Sequence, residues 1–117
     1  MSVGGYAQRD YDEAFEAGHA QALQEIRDRG VGAQRISGER KRQIEREGWS
    51  AEHDDEHKNG ELRDAAACYL TLATDRWPWS LADWKPSDAP IRNLVKAGAL
   101  IAAEIDRLER KAARSDV

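Results

Sequence analysis

Hydrophobic residues recur along this chain at spacings of three and four positions, and no stretch shows the alternation of apolar and polar residues that a strand would have. Spacings of three and four place side chains on one face of a helix, whereas strict alternation is typical of strands. Four segments show the helical pattern. The sequence therefore predicts an all-α fold, in the form of a small antiparallel bundle of three or four helices.

The two N-terminal segments have narrow apolar faces. Residues 10–29 form the first predicted helix, which Gly30 and Gly32 are expected to end. The next helix is predicted to begin with Ser37 as its N-cap and to stop at Gly48. Because its apolar residues are few, this second helix can bury only a thin stripe.

Two later segments have broader apolar faces and form the predicted core. The chain from Ser50, a plausible N-cap, runs into a helix over residues 61–74 that is rich in alanine and leucine. The last helix begins near Pro90, and its apolar stripe advances in alternating steps of three and four. That stripe consists of Ile91, Leu94, Gly98, Ile101, Ile105 and Leu108. Because the stripe is long for a chain with so little other core, we expect a homodimer built partly on this helix.

A segment rich in tryptophan and proline separates the two core helices. It contains three of the four tryptophans and all three prolines, so residues 76–89 are predicted to be an ordered irregular crossover. Two interpretations of Trp77, Trp79 and Trp84 stay open. The rings either close the end of the bundle or line a ligand pocket together with Lys85.

Composition narrows the class of protein. With 117 residues, 34% charged residues and a formal net charge of −4, the chain fits one domain that is not a general nucleic-acid binder. The single Cys68 cannot form an intramolecular disulfide, and its apolar surroundings indicate a core residue. No stretch is apolar enough for a secretory signal or a membrane span, so we expect a cytoplasmic protein without membrane association.

The most polar stretch is EHDDEHKNGE, residues 52–61, which holds two of the three histidines and five acidic residues. In a continuous helix, His53, His57 and Glu61 would lie on one face, where two imidazoles and a carboxylate can converge on a cation. Asn59 and Gly60 favour a turn instead, which would change the ligands. Both conformations stay open at this point.

A carboxylate on the last helix adds to this stretch. Glu104 lies close to the apolar side of its helix, where an unpaired charge is costly, so it needs an arginine, a histidine or a metal as partner. We therefore predict that Asp54, Asp55, His57, Glu61 and Glu104 converge in one pocket around a cation or a phosphate-bearing ligand, with His53 beside them. The oxygen ligands suit Mg²⁺ or Mn²⁺, whereas the histidines favour Mn²⁺ or Zn²⁺.

Two simpler interpretations compete with these sites. Acidic residues that follow Ser50 also suit the positive end of a helix dipole, and His57 with Glu61 is an ordinary i,i+4 pair on a solvated helix. The basic cluster that includes Arg40 and Arg42 could hold phosphate oxygens, but acidic neighbours also make it a typical solvated helix face.

Three motifs resemble a family of small proteins of unassigned function that phages and prophages encode. They are ERKRQIEREGWSAEHDDEHKNGELRDAAACY, WPWSLADWKP and RNLVKAGALIAAEIDRL, which occur in this order over about residues 39–110. The resemblance implies a phage context and an all-α core, and it assigns no catalytic residues. It also suggests a division into an N-terminal helical extension, residues 1–38, and a helical core domain, residues 39–117, that carries HDDEH.

A more distant resemblance is to the all-α nucleoside triphosphate pyrophosphohydrolases of the MazG type. GELRDAAACYL and KAGALIAAEIDRL resemble helices of that family, which implies magnesium-binding carboxylates at Glu61, Asp64 and Glu104. The family places an ExxE pair before an ExxD pair, whereas this chain has ELRD preceded by HDDEH.

Two classes of function follow. The chain is expected to be a phage-type protein that binds a nucleotide, with metal-dependent pyrophosphate hydrolysis as the enzymatic version of that activity. The alternative is a phage anti-defence protein without turnover, which sequesters a nucleotide-like host signal or binds a host defence protein in the host cytoplasm.

Overall fold

A computed structural model describes residues 18–115, and every regular element in that part of the chain is helical. Residues 18–29 form α1. The other α-helices are α2 (Val31–Arg46), α3 (Ala51–Asp55), α4 (Glu61–Thr71) and α5 (Pro90–Ser115). A short 3₁₀ turn, Leu81–Asp83, lies between α4 and α5. The all-α fold predicted from the sequence is confirmed.

The chain divides into two compact units, residues 1–34 and residues 35–117. Helix α1 lies in the first unit, and α2 begins there and belongs for the larger part to the second. The division at residue 38 that the phage resemblance suggests stays a prediction. Residues 10–17 of the first predicted helix lie outside the described residues.

The boundary between α1 and α2 differs from the prediction. Gly30 alone separates the two helices, with φ of 85°, and α2 starts at Val31. Gly32 and Ser37 therefore lie inside a helix, so the predicted roles of Gly32 as a helix end and Ser37 as an N-cap are wrong. One glycine in the left-handed region is enough to interrupt the helix, and an interior serine costs little helix propensity.

The polar stretch from Ser50 forms a short helix and then a turn. The Ser50 hydroxyl accepts a hydrogen bond from the backbone N–H of His53 at 3.2 Å, which confirms the predicted N-cap of α3. Gly60, with φ of 83°, then separates α3 from α4. Of the two conformations that the sequence left open, the structure has the turn, so His53, His57 and Glu61 are not successive positions of one helix.

The core forms where α4 packs on α5. Its buried side chains are Leu62, Ala65, Ala66 and Tyr69 from α4, and Ala97, Leu100 and Ala103 from α5. Many of these residues are small, so the two helices can approach closely. Cys68 is also buried, as the sequence predicted. The four tryptophans pack against the edge of this core, and they bring the crossover segment close to α4 and α5.

Helix α5 has a second apolar face that other described residues leave largely exposed. Ile91, Leu94, Ile101 and Ile105 are exposed large hydrophobic residues on this face. Gly98, within the same stripe, faces Ile36 of α2 so closely that a Cβ atom there would lie 2.5 Å from Ile36 Cδ1. No helix within residues 18–115 is long and apolar enough to cross a membrane.

Candidate functional site

A pocket of about 530 Å³ opens within the second unit, between α2, α3, α4, the crossover segment and α5. The residues that line it are Glu39, Arg42, Gln43, Glu47, Trp49, His53, Asp54, His57, Leu62, Tyr69, Trp79, Ser80, Asp83, Lys85, Lys96 and Leu100. This volume is within the range of small-molecule sites, and the lining combines aromatic rings with charges of both signs.

A continuous series of aromatic rings runs along the pocket. The rings of Trp49 and His53 are nearly parallel, with centroids 6.2 Å apart. His53 meets His57 edge-on at 5.0 Å, and His57 lies 5.1 Å from Trp79. Trp79 in turn contacts Trp77 at 5.3 Å. Such rings offer flat faces on which another planar ring can stack.

Asp54 is the most unusual group of the pocket. Its side chain is only 1% exposed, yet neither carboxylate oxygen has a hydrogen-bond partner among the described residues. Arg40 Nη2 and His53 Nδ1 each lie 3.5 Å from one of the oxygens, which is too long for a well-formed hydrogen bond. Burial raises the pKa of Asp54, and the charge of Arg40 only partly offsets this effect. The fold therefore holds a poorly solvated acid beside the pocket.

His57 supplies a second unused polar atom. Its Nδ1 lies 3.3 Å from Glu61 Oε2, while its Nε2 is buried and has no partner among the described residues. When Nδ1 carries the proton that Glu61 accepts, Nε2 is left as an acceptor. Glu61 also accepts a hydrogen bond from the backbone N–H of Asn59 at 2.6 Å, so it is anchored to the turn.

The basic side of the pocket is built around Glu39. Burial alone would raise the pKa of this carboxyl, but hydrogen bonds from Arg92 and Arg42 outweigh burial and lower it. Lys96 lies nearby and donates a hydrogen bond to the backbone carbonyl of Lys85 at 2.7 Å. Its ammonium group also lies 5.4 Å from the centroid of the Tyr69 ring.

The charges of Lys85 and Lys96 are not neutralised by a carboxylate within 4.0 Å in the described part of the chain. Burial and the positive charge of Arg92 lower the pKa of Lys96. This part of the pocket therefore presents positive charge that an anion would offset.

The five residues predicted to hold a cation do not converge. Asp54 and His57 line the pocket, and Glu61 only touches His57 from outside the lining. Asp55 instead accepts hydrogen bonds from Arg110 at 2.8 Å and from Arg114 at 3.3 Å, and it lines a separate shallow depression. The structure therefore does not bring these five residues into one pocket, because Asp55 and Glu104 pair with arginines of α5, and metal binding by the five residues stays a prediction.

Glu104 is occupied as well. It accepts hydrogen bonds from Arg107 at 2.6 Å and from Arg63 at 3.2 Å. Of the three partners that the sequence left open, the structure has arginine. The residues that the MazG resemblance implied as magnesium ligands therefore include a buried carboxylate that two guanidinium groups already neutralise.

The described residues show no cluster of side chains of the kind that holds a divalent ion. Among the described residues, no group of three or more histidine, cysteine, aspartate or glutamate side chains is arranged to hold a metal ion. The Mg²⁺, Mn²⁺ or Zn²⁺ expected from the sequence stays a prediction.

The residues predicted to bind a ligand fall into two groups. His53, Arg42, Trp79 and Lys85 line the pocket. Three others do not: Arg40 Nη2 lies 3.5 Å from Asp54 Oδ2, while Trp77 and Trp84 pack on Tyr69 with ring centroids 5.8 and 4.7 Å away. Direct ligand contact by these seven residues stays a prediction.

Sequence reasoning missed several lining residues, among them Trp49, Tyr69 and Lys96. Trp49 follows Gly48, whose positive φ of 73° turns the chain after α2, and the spacing alone did not show where the ring would lie. Lys96 follows Val95 in the apolar sequence of α5, and that unusual position is the one signal that could have identified it.

The chain matches no protein-family model, and comparisons with curated proteins and with solved structures also find no match.

Proposed function

We propose that the protein binds a nucleotide-like small molecule in this pocket. The observation that supports the proposal is the presence of stacking surfaces, buried acceptors and unneutralised lysines along one cavity. A heterocyclic base can stack on Trp79 or Trp49, while Lys85 and Lys96 offset the charge of a phosphate group.

The contacts favour binding over hydrolysis. Metal-dependent pyrophosphate hydrolysis needs carboxylates that are free to hold a divalent ion near the phosphates. In this chain Glu104 and Asp55 are bound by arginines, and Asp54 lies beside His53 and Arg40 with no second carboxylate paired to it among the described contacts. We therefore propose retention of the ligand without turnover, as in the phage anti-defence alternative: sequestration of a nucleotide-like signal in the host cytoplasm.

Calorimetric titration with a panel of nucleotides, followed by product analysis of the same samples with and without Mg²⁺ or Mn²⁺, tests both parts of this proposal. We expect stoichiometric binding and an unchanged nucleotide. Release of pyrophosphate would establish the enzymatic alternative. Absence of binding by every nucleotide, with a host protein captured instead, would support the second form of the anti-defence alternative and would refute a nucleotide site.

Three variants locate the site. Trp79→Leu removes a stacking face and should weaken binding by about tenfold, as expected from the energy of a base on an aromatic ring. Lys96→Met should weaken phosphate-bearing ligands more than the corresponding nucleoside. Lys111→Met is the matched control for Lys96, because it lies exposed on the same helix and away from the pocket. Equal affinities for all three variants would contradict the assignment.

We also propose that the protein forms a homodimer along the exposed stripe of α5. The stripe advances in alternating steps of three and four, which is the spacing of helices that pair by their apolar seams. Ile101→Glu with Ile105→Glu should convert a dimer to a monomer in light scattering. Leu81→Glu, at a leucine of the 3₁₀ turn that is more exposed than either isoleucine, should not. A monomeric mass for the unaltered protein at micromolar concentration would refute the dimer.

A further inference from the structure

We propose that the pocket recognises the guanine type of base, with Asp54 accepting hydrogen bonds from the ring N1–H and the 2-amino group. This inference rests on the proposed nucleotide site and adds the class of base to it. Three observations carry it: the free oxygens of Asp54, the free Nε2 of His57, and the aromatic rings of the same pocket, where Trp49 stacks on His53 and Trp79 contacts His57.

The unused atoms at this end of the pocket are mainly acceptors. An ionised Asp54 offers two oxygens and no donor, and His57 Nε2 is an acceptor when Glu61 holds the proton on Nδ1. A ligand that satisfies them must present several donors on one edge. A buried carboxylate without hydrogen-bond donors is costly. A ligand that supplies these donors removes the cost.

The common bases differ sharply in this respect. Guanine presents N1–H and an adjacent amino group, so two parallel hydrogen bonds can reach one carboxylate, in the bidentate geometry that is strongest for charged acceptors. Adenine and cytosine each place an acceptor nitrogen beside their amino group, and uracil flanks its single N–H with two carbonyl oxygens. Each of these alternatives brings a lone pair against an oxygen of Asp54. Guanine therefore fits the acceptor pair best.

The charge beside Asp54 favours the ionised form that this recognition needs. Arg40 Nη2 lies 3.5 Å from Oδ2, and Arg40 is not among the residues that line the pocket. Arg40 also donates to Gln43 at 3.3 Å, so it is held in place without saturating the carboxylate. The guanidinium thus supports the charge of Asp54 and leaves both oxygens able to accept from a ligand.

Access to Asp54 requires a movement of His53. The Asp54 oxygens are covered, and His53 Nδ1 lies 3.5 Å from one of them. The His53 side chain is 41% exposed, and none of its ring nitrogens has a well-formed hydrogen bond within the described residues. The inference therefore requires that this ring turn toward solvent on binding, so that the base takes its place beside Trp49.

Titration calorimetry with guanosine, inosine, adenosine and xanthosine monophosphates tests the inference on the unaltered protein. Inosine monophosphate lacks only the 2-amino group, so its affinity should be lower than that of guanosine monophosphate by about tenfold, the effect of one hydrogen bond to a charged acceptor. Adenosine monophosphate should bind about a hundredfold more weakly. Equal affinities for guanosine and adenosine monophosphates would overturn the inference, while the proposed nucleotide site would stand.

Asp54→Asn provides a second and independent test. Asparagine offers one donor and one acceptor, which match the N1–H and 2-oxo groups of xanthine instead of guanine. The variant should lose about a hundredfold in affinity for guanosine monophosphate and should prefer xanthosine monophosphate. Asp55→Asn is the matched control, because it changes the adjacent residue outside the pocket, and it should bind like the unaltered protein.

The remaining outcomes are also decisive. If Mn²⁺ or Zn²⁺ alone binds the unaltered protein and fails to bind Asp54→Asn, and no base is preferred, the acceptors form a cation site and the inference is wrong. If no nucleotide binds at all, the proposed function itself fails. Circular dichroism of Asp54→Asn shows whether the variant folds, and the comparison of bases on the unaltered protein does not depend on it.

Discussion

Asp54 and Glu104 are both buried carboxylates, but the fold treats them differently. The Glu104 side chain is 6% exposed and accepts hydrogen bonds from two arginines, one of them at 2.6 Å. The Asp54 side chain is 1% exposed and has no group close enough to donate a good hydrogen bond. Neutralisation by arginine is typical of an acid that stabilises a fold. An acid that stays without a partner lowers stability, and this is the usual condition of groups that meet a ligand.

The same contrast extends to other acids of the second unit. Glu39 is held by Arg42 and Arg92, and Asp55 by Arg110 and Arg114. Arginines therefore form close ion pairs with these carboxylates, whereas the nearest arginine to Asp54, Arg40, lies 3.5 Å away. We infer that Glu39, Asp55 and Glu104 serve mainly the structure, and that Asp54 serves the pocket.

Glu104→Gln should have the largest effect on stability. The substitution leaves the guanidinium of Arg107 buried with a neutral partner, and loss of one member of a buried pair typically costs about 3 kcal/mol of unfolding free energy. Urea denaturation at pH 7 measures this loss. Arg63→Gln, which removes the more exposed partner of Glu104, is the control and should cost clearly less. A loss below 1 kcal/mol for Glu104→Gln would contradict a structural role.

Asp54→Asn should raise the unfolding free energy, whereas Glu104→Gln should lower it. The amide removes an ionised group that the fold solvates poorly, so the unfolding free energy at pH 7 should rise by about 1 kcal/mol, the lower end of the cost of an unsatisfied buried polar group. The same urea experiment measures it. A loss of stability as large as that of Glu104→Gln would show that Arg40 is a full partner of Asp54, and the contrast would disappear.

The advantage of Asp54→Asn should depend on pH. The pKa of Asp54 is raised in the folded state, mainly by burial, with Arg40, His53 and Arg110 opposing the shift. A raised pKa means that protonation favours the folded protein, so this stabilisation is full below the unfolded aspartate pKa and is lost as pH rises through the folded value. The difference in unfolding free energy between Asp54→Asn and the unaltered protein should therefore become smaller as the pH falls from 7 to 4. A constant difference would exclude titration of Asp54 as its cause.

Asp55→Asn should give the smallest change in the series. Its ion pairs with Arg110 and Arg114 lie toward the surface, where water and salt screen the charges. Hydrogen bonds from Arg110 lower the pKa of Asp55, so its contribution is present above the unfolded aspartate pKa and is lost as pH falls through the folded value. The small loss in the variant should shrink further in high salt. A salt-independent loss would show that this pair is more than a surface interaction.

The sequence predicted the elements of the fold better than the contacts of its acids. Apolar spacing indicated α4 and α5, and the N-cap at Ser50 followed from the residue type. The start of α2 was missed, because a serine next to a glycine resembles a helix start whether or not the helix already exists. Local rules do not exclude an earlier start when the preceding residues also tolerate a helix.

Pairing of the acids depends on distances along the chain. Arg107 is three residues from Glu104, so this partner was visible in the sequence as one of the options. Arg110 is 55 positions from Asp55, and only the packing of α3 against α5 brings them together. The sequence therefore predicted that more acidic residues lie together than the structure shows. Their local density suggested that all of them converge, but arginines that are distant in the chain pair with some of them. Asp54 was predicted as a ligand because it lies in the acidic stretch of residues 52–61, and only the structure shows that its side chain is buried.

The most direct test of the central claim is an NMR titration of the Asp54 carboxyl carbon, with and without saturating guanosine monophosphate. Asp54→Asn identifies the signal, and Asp55 serves as an internal reference. The account predicts a pKa above the ordinary aspartate range in the free protein and a lower pKa in the complex, because N–H donors from the base favour the ionised form. The same pKa in both samples, with the nucleotide bound, would show that Asp54 does not receive its missing partner from the ligand.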